Sequence, residues 1–342
     1  MNSPGPGKRR PTLADVAARA GVSRSLASLV IRNDPGPSTA SRQAVLQAAA
    51  ELDYQPDQAA KSLREQRSRL LGVLIDAGDP FHADLLEQIY PAAEDRGYDV
   101  VLSARLASRN PDRAVAALLR SRCEGLILLG TDAVPSELPR IGERTPVVLV
   151  GRRGRGTGVD AVVGADEHGA DLATEYLIEL GHRRIGFIDG GRHAGAPERR
   201  RGYRRAMRRH GLNPDVMPGD HNEQSGIRAA QQLLADGRAG TDRVTAVLAS
   251  NDRSAAGFLD TMLRAGVAVP QQMSIVGYDD SRLARLAYIN LTTVAQDVHE
   301  LARQSVAAVV GRIAGNRDAA GPARDILLEP KLVVRGTTAP PP

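Results

Sequence analysis

The chain has 342 residues, 42% hydrophobic and 25% charged, a composition typical of soluble globular proteins, and it is too long for one compact core. No apolar run approaches the ~20 residues of a membrane span, Met1 to Pro11 lacks the apolar stretch of a secretory signal, and the single cysteine, Cys123, excludes an intramolecular disulfide, so a cytoplasmic protein is expected. Residues 1–69 carry 11 Lys or Arg against 6 Asp or Glu, a surplus equal to the formal net charge of +5, while the remaining 34 basic and 34 acidic side chains cancel.

That surplus suits a polyanion partner for the N-terminal fifth of the chain, because neutralising phosphates drives nucleic-acid affinity. Residues 1–10 combine Pro, Gly and basic residues without periodicity and read as a disordered arm. From Thr12 to Tyr54 the pattern is helical. Thr12 can cap a first helix in a capping-box-like pair with Asp15, and Gly21 ends it. Ser23 can cap a second helix to about Arg32, and Ser38 or Ser41 starts a third that runs to about Leu52. Small Ala17 at a helix crossing, Gly21 at a left-handed turn, and the apolar set Val16, Ala20, Val22, Ala27 and Val30 have the spacing of a helix-turn-helix. The head is therefore placed at 11–55, followed by a short helix and linker at 56–69.

The character changes at Leu70. "LLGVLID", "DVVLSA", "GLILLG", "PVVLVG", "RIGFID", "AVLAS" and "SIVGYDD" are short apolar runs with the length of buried parallel strands. Helical patterns alternate with most of them, which predicts βαβ units and doubly wound sheets. About 270 residues exceed one such unit, so residues 70–338 are expected to form two similar lobes. "DILLEPKLVVRG" reads as extended strands, and residues 339–342 as a disordered tail. Cys123, just before an apolar run, is expected to be buried or half-buried. Seven arginines between Arg199 and Arg209 crowd one helix whose apolar side is Tyr203, Ala206 and Met207; a solvated basic face is preferred there to a second anionic site.

"TLADVAARAGVSRSLASLVIR" and "AAAELDYQPDQAAKSLR" resemble the DNA-binding head and hinge of the lactose/galactose repressor (LacI/GalR) family. The likeness continues through "GVLIDAGDPFHADLLEQI", "ELGHRRIGFIDG", "AVLASNDRSAAG", "SIVGYDD" and "EPKLVVRGTTAP", nearly the whole chain in the family's order. It implies an α helix-turn-helix head joined to an α/β periplasmic-binding-protein-like domain of two parallel-sheet lobes. It also implies a dimeric repressor that reads palindromic double-stranded operator DNA under control of a small effector.

On this likeness, Arg24, Ser25 and Leu29 lie where the recognition helix faces base edges. Arg24 can grip a guanine or touch a phosphate, and both stay open. Thr12, Ser23, Ser38 and Ser41 match helix-start hydroxyls near phosphates. The family's usual Thr-Val-Ser-Arg reads Leu26-Ala27-Ser28-Leu29 here, and its following Asn reads Arg32, so Ser28 and Arg32 join the DNA-facing set while the usual arginine is missing. Leu63, with Ala60 one turn before it, matches the hinge leucine that wedges into the minor groove.

For the effector, the resemblance points to Phe81 and His82 after the first strand, Arg199, His221, Asn251 and Asp279. Phe81 could equally be core, His82 structural, and Asp252 or Asp280 a helix cap. Rings that stack and charged groups that fork onto hydroxyls suit a sugar, a sugar phosphate or a nucleobase. No glycine-rich phosphate loop, zinc spacing or catalytic constellation stands out, so neither cofactor, metal nor enzymatic activity is expected. Without a terminal heptad segment, a dimer is expected rather than a tetramer. A transport-type binding module and a sugar-modifying enzyme are the competing classes; the basic head and the missing secretory signal argue against the first, and the lack of a residue set for the chemistry against the second.

Overall fold

The computed structural model describes residues 11–54, 67–106, 111–130, 137–154, 156–237, 244–315 and 322–342. The arm at 1–10 and most of the expected hinge, with Ala60 and Leu63, lie outside them. The chain divides into two compact units, Met1–Ser68 and Arg69–Pro342.

Among its described residues the small unit contains three helices, α1 (Leu13–Arg19), α2 (Arg24–Ile31) and α3 (Thr39–Glu51). Each starts where a hydroxyl can cover an unpaired N–H. Thr12 and Asp15 form a full capping box, Ser23 accepts from the Leu26 N–H at 3.2 Å, and Ser38 accepts from the Ser41 N–H at 3.2 Å, so Ser38 and not Ser41 is the cap of α3. Gly21 turns the chain between α1 and α2 at φ +67°, a conformation costly for any residue with a Cβ. Val16, Ala17, Ala27, Val30, Val45 and Ala48 close over one another as the core. Three of the six are alanines, and their small side chains allow the helices to approach.

The described residues of the large unit form two sheets. The first runs β2 (Asp99–Arg105), β1 (Leu70–Asp76), β3 (Gly125–Leu129), β4 (Val147–Val150), β5 (Asp160–Gly164) and β11 (Asp325–Leu328), all parallel. The second runs β7 (Asp215–Met217), β6 (Ile185–Ile188), β8 (Ala246–Ala249), β9 (Ser274–Asp279), β10 (Thr292–Ala295) and β12 (Lys331–Val333). Its last pair is antiparallel and the others are parallel, so both lobes have the parallel-dominated sheets expected. The apolar runs β3, β4 and β8, and β9 with its polar ends Ser274 and Asp279, are buried at every position, as strands covered on both faces must be.

Helices α4 (Pro80–Glu94), α5 (Pro111–Arg120) and α6 (Leu138–Gly142) belong to the first lobe; α7 (Asp166–Glu179), α8 (Ala196–Arg209), α9 (Glu223–Ala235) and α10 (Asp252–Arg264) belong to the second. The last helix, α11 (Val298–Ala314), follows a strand of the second lobe but packs Leu301, Val306 and Val309 into the core of the first. The chain thus passes between lobes at 164–166, 295–298 and 328–331. "DILLEPKLVVRG" accordingly splits into two strands on different sheets.

Three further features correct or refine the sequence expectations. The basic face of α8 is an ion-pair ladder: Arg201, Arg205 and Arg209 recur every four residues opposite Glu167, Asp171 and Glu175 of α7. Gly202 permits that approach, since a Cβ there would come within 2.0 Å of the Glu167 carbonyl oxygen. The tail expected to be disordered is tied down, with the Ala339 carbonyl accepting from the Ser274 hydroxyl at 2.9 Å and lying 2.9 Å from His182 Nε2. Cys123 is buried, and burial pushes its thiol up to about 11, leaving it unreactive at neutral pH.

Candidate nucleic-acid interface and effector cleft

Helix α2 buries Ala27 and Val30 and turns Arg24 and Ser25 of its first turn outward; Leu29 is half-buried beside them. Among the described residues Arg24 makes no ion pair. It stands at a helix N-terminus, where backbone N–H groups already favour an anion. Thr12, Ser23 and Ser38 sit at the three helix starts with their hydroxyls engaged as caps, and Ser41 lies 3.0 Å from the Ser38 hydroxyl. Arg32 is held differently. It donates to Asp34 at 2.8 Å and to the Ser28 hydroxyl at 3.0 Å, so these two residues of the DNA-facing set are engaged with each other and with a carboxylate.

In the large unit, a cavity of about 310 Å³ opens at the carboxyl ends of the strands, where the chain changes lobes. Phe81, His82 and Asp79 reach it from the start of α4, Asp76 and Arg105 from the ends of β1 and β2, and Gln296 from the β10–α11 crossing. From the second lobe come Arg199, His193, His221, Asn222, Arg253 and Asp279. Five of the six residues expected from the sequence therefore meet here. Asn251 is not among them: its side chain caps α10, accepting the Ser254 N–H at 2.9 Å. Phe81 both lines the cavity and packs against the first-lobe core, so its two readings are compatible.

Each of these side chains is held in place. His82 Nδ1 accepts the Asp76 N–H at 3.0 Å, which leaves Nε2 to carry the proton, and its ring lies where a Cβ on Gly130 would have to be. His193 and His221 stack with centroids 5.1 Å apart. Arg199 is fully buried, donates to Asp166 at 2.8 Å, lies 3.3 Å from Asp279 and covers the Tyr278 ring at 3.7 Å. Burial alone would favour loss of its proton, but the two carboxylates outweigh that and hold it charged. Asp279 is pushed well above the usual carboxylate range by burial and by Asp252 and Asp79, against the pull of Arg199.

The loop that carries Asp279 is strained and pinned. Asp279 and Asp280 both have positive φ, +111° and +52°, which residues with a Cβ seldom adopt. Asp252 compensates by accepting from the Ser281 N–H at 2.7 Å and its hydroxyl at 2.9 Å, and from the Thr293 hydroxyl at 2.6 Å. The next residue, Arg282, crosses to the first lobe and donates to Asp84 at 2.6 and 2.9 Å and to Glu87 at 2.8 Å. Arg152 makes a second bridge, to the Arg192 carbonyl at 2.8 Å. Sequence reasoning did not single out Asp76, Asp79, Arg105, His193, Arg253 or Gln296. The available signal for Asp76 and Arg105 was a charged residue directly ending an apolar strand.

Comparison with known proteins agrees with this architecture. Residues 12–57 match the model for bacterial regulatory proteins of the lacI family, and residues 174–338 that for the periplasmic binding protein-like domain. The ribose operon repressor of Escherichia coli (strain K12) is 35% identical, over 88% of this chain and 93% of that protein. A LacI transcriptional regulator from a Rhodococcus species superposes with a TM-score of 0.74 at 45% identity, covering 79% of this chain and 98% of that one. A lac repressor dimer bound to operator and the anti-inducer ONPF superposes with a TM-score of 0.80 at 29% identity, covering 97% and 100%.

Proposed function

The chain belongs to the lacI family of bacterial regulatory proteins, and we propose that it represses transcription as a homodimer on a palindromic operator, releasing or tightening its grip when a small polar effector enters the cleft. It is a DNA-binding transcription regulator and not an enzyme. In the proposed reading it works in the cytoplasm on the nucleoid. Arg24, Ser25 and Leu29 read bases, Thr12, Ser23, Ser38 and Ser41 position the head on phosphates, and Leu63 with Ala60 enters the minor groove. Ser28 and Arg32 act at the edge of this surface, with Arg32 free to exchange Asp34 for a phosphate. The effector is held by Phe81, His82, Arg199, His221 and Asp279, while Asn251 acts by fixing the start of α10.

The observation that supports the assignment most directly is the pairing, in one chain, of an outward-facing recognition helix with a two-lobed cleft whose walls are joined by Arg282. Ligand contact at Asp279 lies three residues from that bridge, so occupancy can bias lobe closure, and a biased equilibrium is all that regulation requires. The test is selection of bound DNA from a random duplex library followed by gel shift over a salt series. A palindromic consensus with affinity falling steeply as salt rises is expected. Binding that is absent at low salt, or indifferent to sequence, would remove the reading.

A further inference from the structure

Helix α2 carries one large apolar side chain on the face turned away from the head's core. At about 100° per residue, Ala27, Val30 and Ile31 share one side of the helix, where they close over that core. Ser25 and Leu29 lie on the opposite side. Among the described residues Ser25 is exposed, and Leu29 is half-buried without being part of the core. The polar groups beside Leu29 do little to specify a base. Arg32, a turn further on, spends Nε and Nη2 on Asp34, both at 2.8 Å, and Nη1 on the Ser28 hydroxyl at 3.0 Å. Asp34 is fixed in turn: its carbonyl accepts from Arg42 at 2.8 Å and its N–H donates to the Leu29 carbonyl at 2.9 Å. A serine hydroxyl both donates and accepts, so Ser25 fits any base edge.

We propose that Leu29 reads the C5-methyl group of a thymine, so that each operator half-site carries a T·A pair at one fixed position. The proposal rests on the reading of α2 as the recognition helix and deepens it. In the major groove guanine, adenine and cytosine present N7, O6 and amino groups, whereas thymine adds a methyl. Leucine has neither donor nor acceptor. Pressed over a polar edge it strips water and replaces no hydrogen bond, and a polar group left unpaired is penalised. Pressed over a methyl it removes apolar surface from water on both sides of the contact. Sequence discrimination at the middle of α2 therefore comes from shape and hydrophobicity, and any guanine contact is left to Arg24 at the start of the helix.

The test uses the full-length protein and the palindromic consensus duplex selected from the random library. Each thymine is replaced in turn by deoxyuridine, symmetrically in both half-sites, which removes only the methyl group. Gel shift is expected to show one thymine whose replacement weakens binding by about fourfold per half-site, the worth of one buried methyl. Leu29→Ala should bind the thymine and uracil duplexes alike, with an unchanged salt slope because no phosphate contact is lost. Leu29→Gln, of similar length, gives the same readout should the smaller side chain unfold the head. If no thymine is methyl-sensitive, or if the sensitive one stays so in both variants, the proposal is overturned while sequence-specific binding leaves the role of α2 in place. Failure of the unaltered protein to bind any selected duplex counts against that role itself and takes the proposal with it.

Discussion

The two recognition surfaces of this molecule are built on opposite electrostatic plans. In the head, Arg24 and Ser25 point outward from α2, and the surrounding segment carries the chain's whole excess of positive charge. In the cleft, Arg105, Arg199 and Arg253 are each matched to a carboxylate before any ligand arrives. The difference follows from the partner. A duplex brings its own dense negative charge and releases counterions on binding, so cations kept available are the effective tool. A small molecule buried in a cleft cannot compensate an ion stranded with it, so the charges must be balanced within the protein and the ligand recognised through oriented hydrogen bonds.

Substitutions test this contrast most sharply where the two plans predict opposite outcomes. Arg199→Ala should cost about 3–5 kcal/mol of unfolding free energy, because it strands Asp166 and Asp279 in the interior. Urea titration followed by circular dichroism measures this, and a loss under 1 kcal/mol would mean that the cleft charges are not balanced as described. Arg24→Ala should do the reverse. Operator affinity should fall by about 1–3 kcal/mol in gel shift, while the melting temperature stays where it was. A lowered melting temperature would show that Arg24 supports the fold and break the comparison from the other side.

Ser23→Ala removes the hydroxyl that accepts the Leu26 N–H and should destabilise the head by ~1 kcal/mol. Hydrogen exchange resolved along the chain is the suitable readout: α2 should exchange faster and the strands of both lobes should not change. The smallest effect concerns pH. His182 is buried with its ring nitrogens 2.8 Å from the Thr245 hydroxyl and 2.9 Å from the Ala339 carbonyl, and burial lowers its pKa below the usual histidine value. A depressed folded-state pKa means that the stability it contributes is complete above about pH 6.5 and is lost as pH falls through the lower, folded value. The protection of the Thr337, Thr338 and Ala339 amides, corrected for the intrinsic exchange rate at each pH, should therefore fall as pH drops below about 6.5, and His182→Gln should abolish that dependence.

How much of this was legible beforehand depended on how each residue earns its place. Val16, Ala17, Gly21 and Ala27 belong to one short stretch and act on one another, so their spacing alone revealed the head. Strands such as β3 and β4 were legible because burial on both faces demands unbroken apolar runs. Strand β10 escaped notice since it opens with Thr292 and Thr293, whose polarity disguises complete burial; their hydroxyls are spent on the Arg335 N–H and on Asp252. The cleft was half visible. Phe81, Arg199 and Asp279 came from a family likeness, whereas Asp79, Arg253 and Gln296 lie on separate loops and become neighbours only through the fold. Asn251 shows the limit of reasoning by position, since the likeness marked the place but only the geometry distinguishes a cap from a ligand contact.

The back-and-forth route of the backbone between the two sheets has a consequence for how such a protein can be recombined. A single join near Ser68 separates the head from everything after it, so heads are exchangeable parts. Neither lobe is a continuous stretch: each needs a strand or helix supplied from beyond the other, and no single cut yields two complete halves. Chimaeras that graft a new operator preference should succeed with one crossover point, while swapping effector preference requires transplanting both lobes together or rewriting the cleft residue by residue.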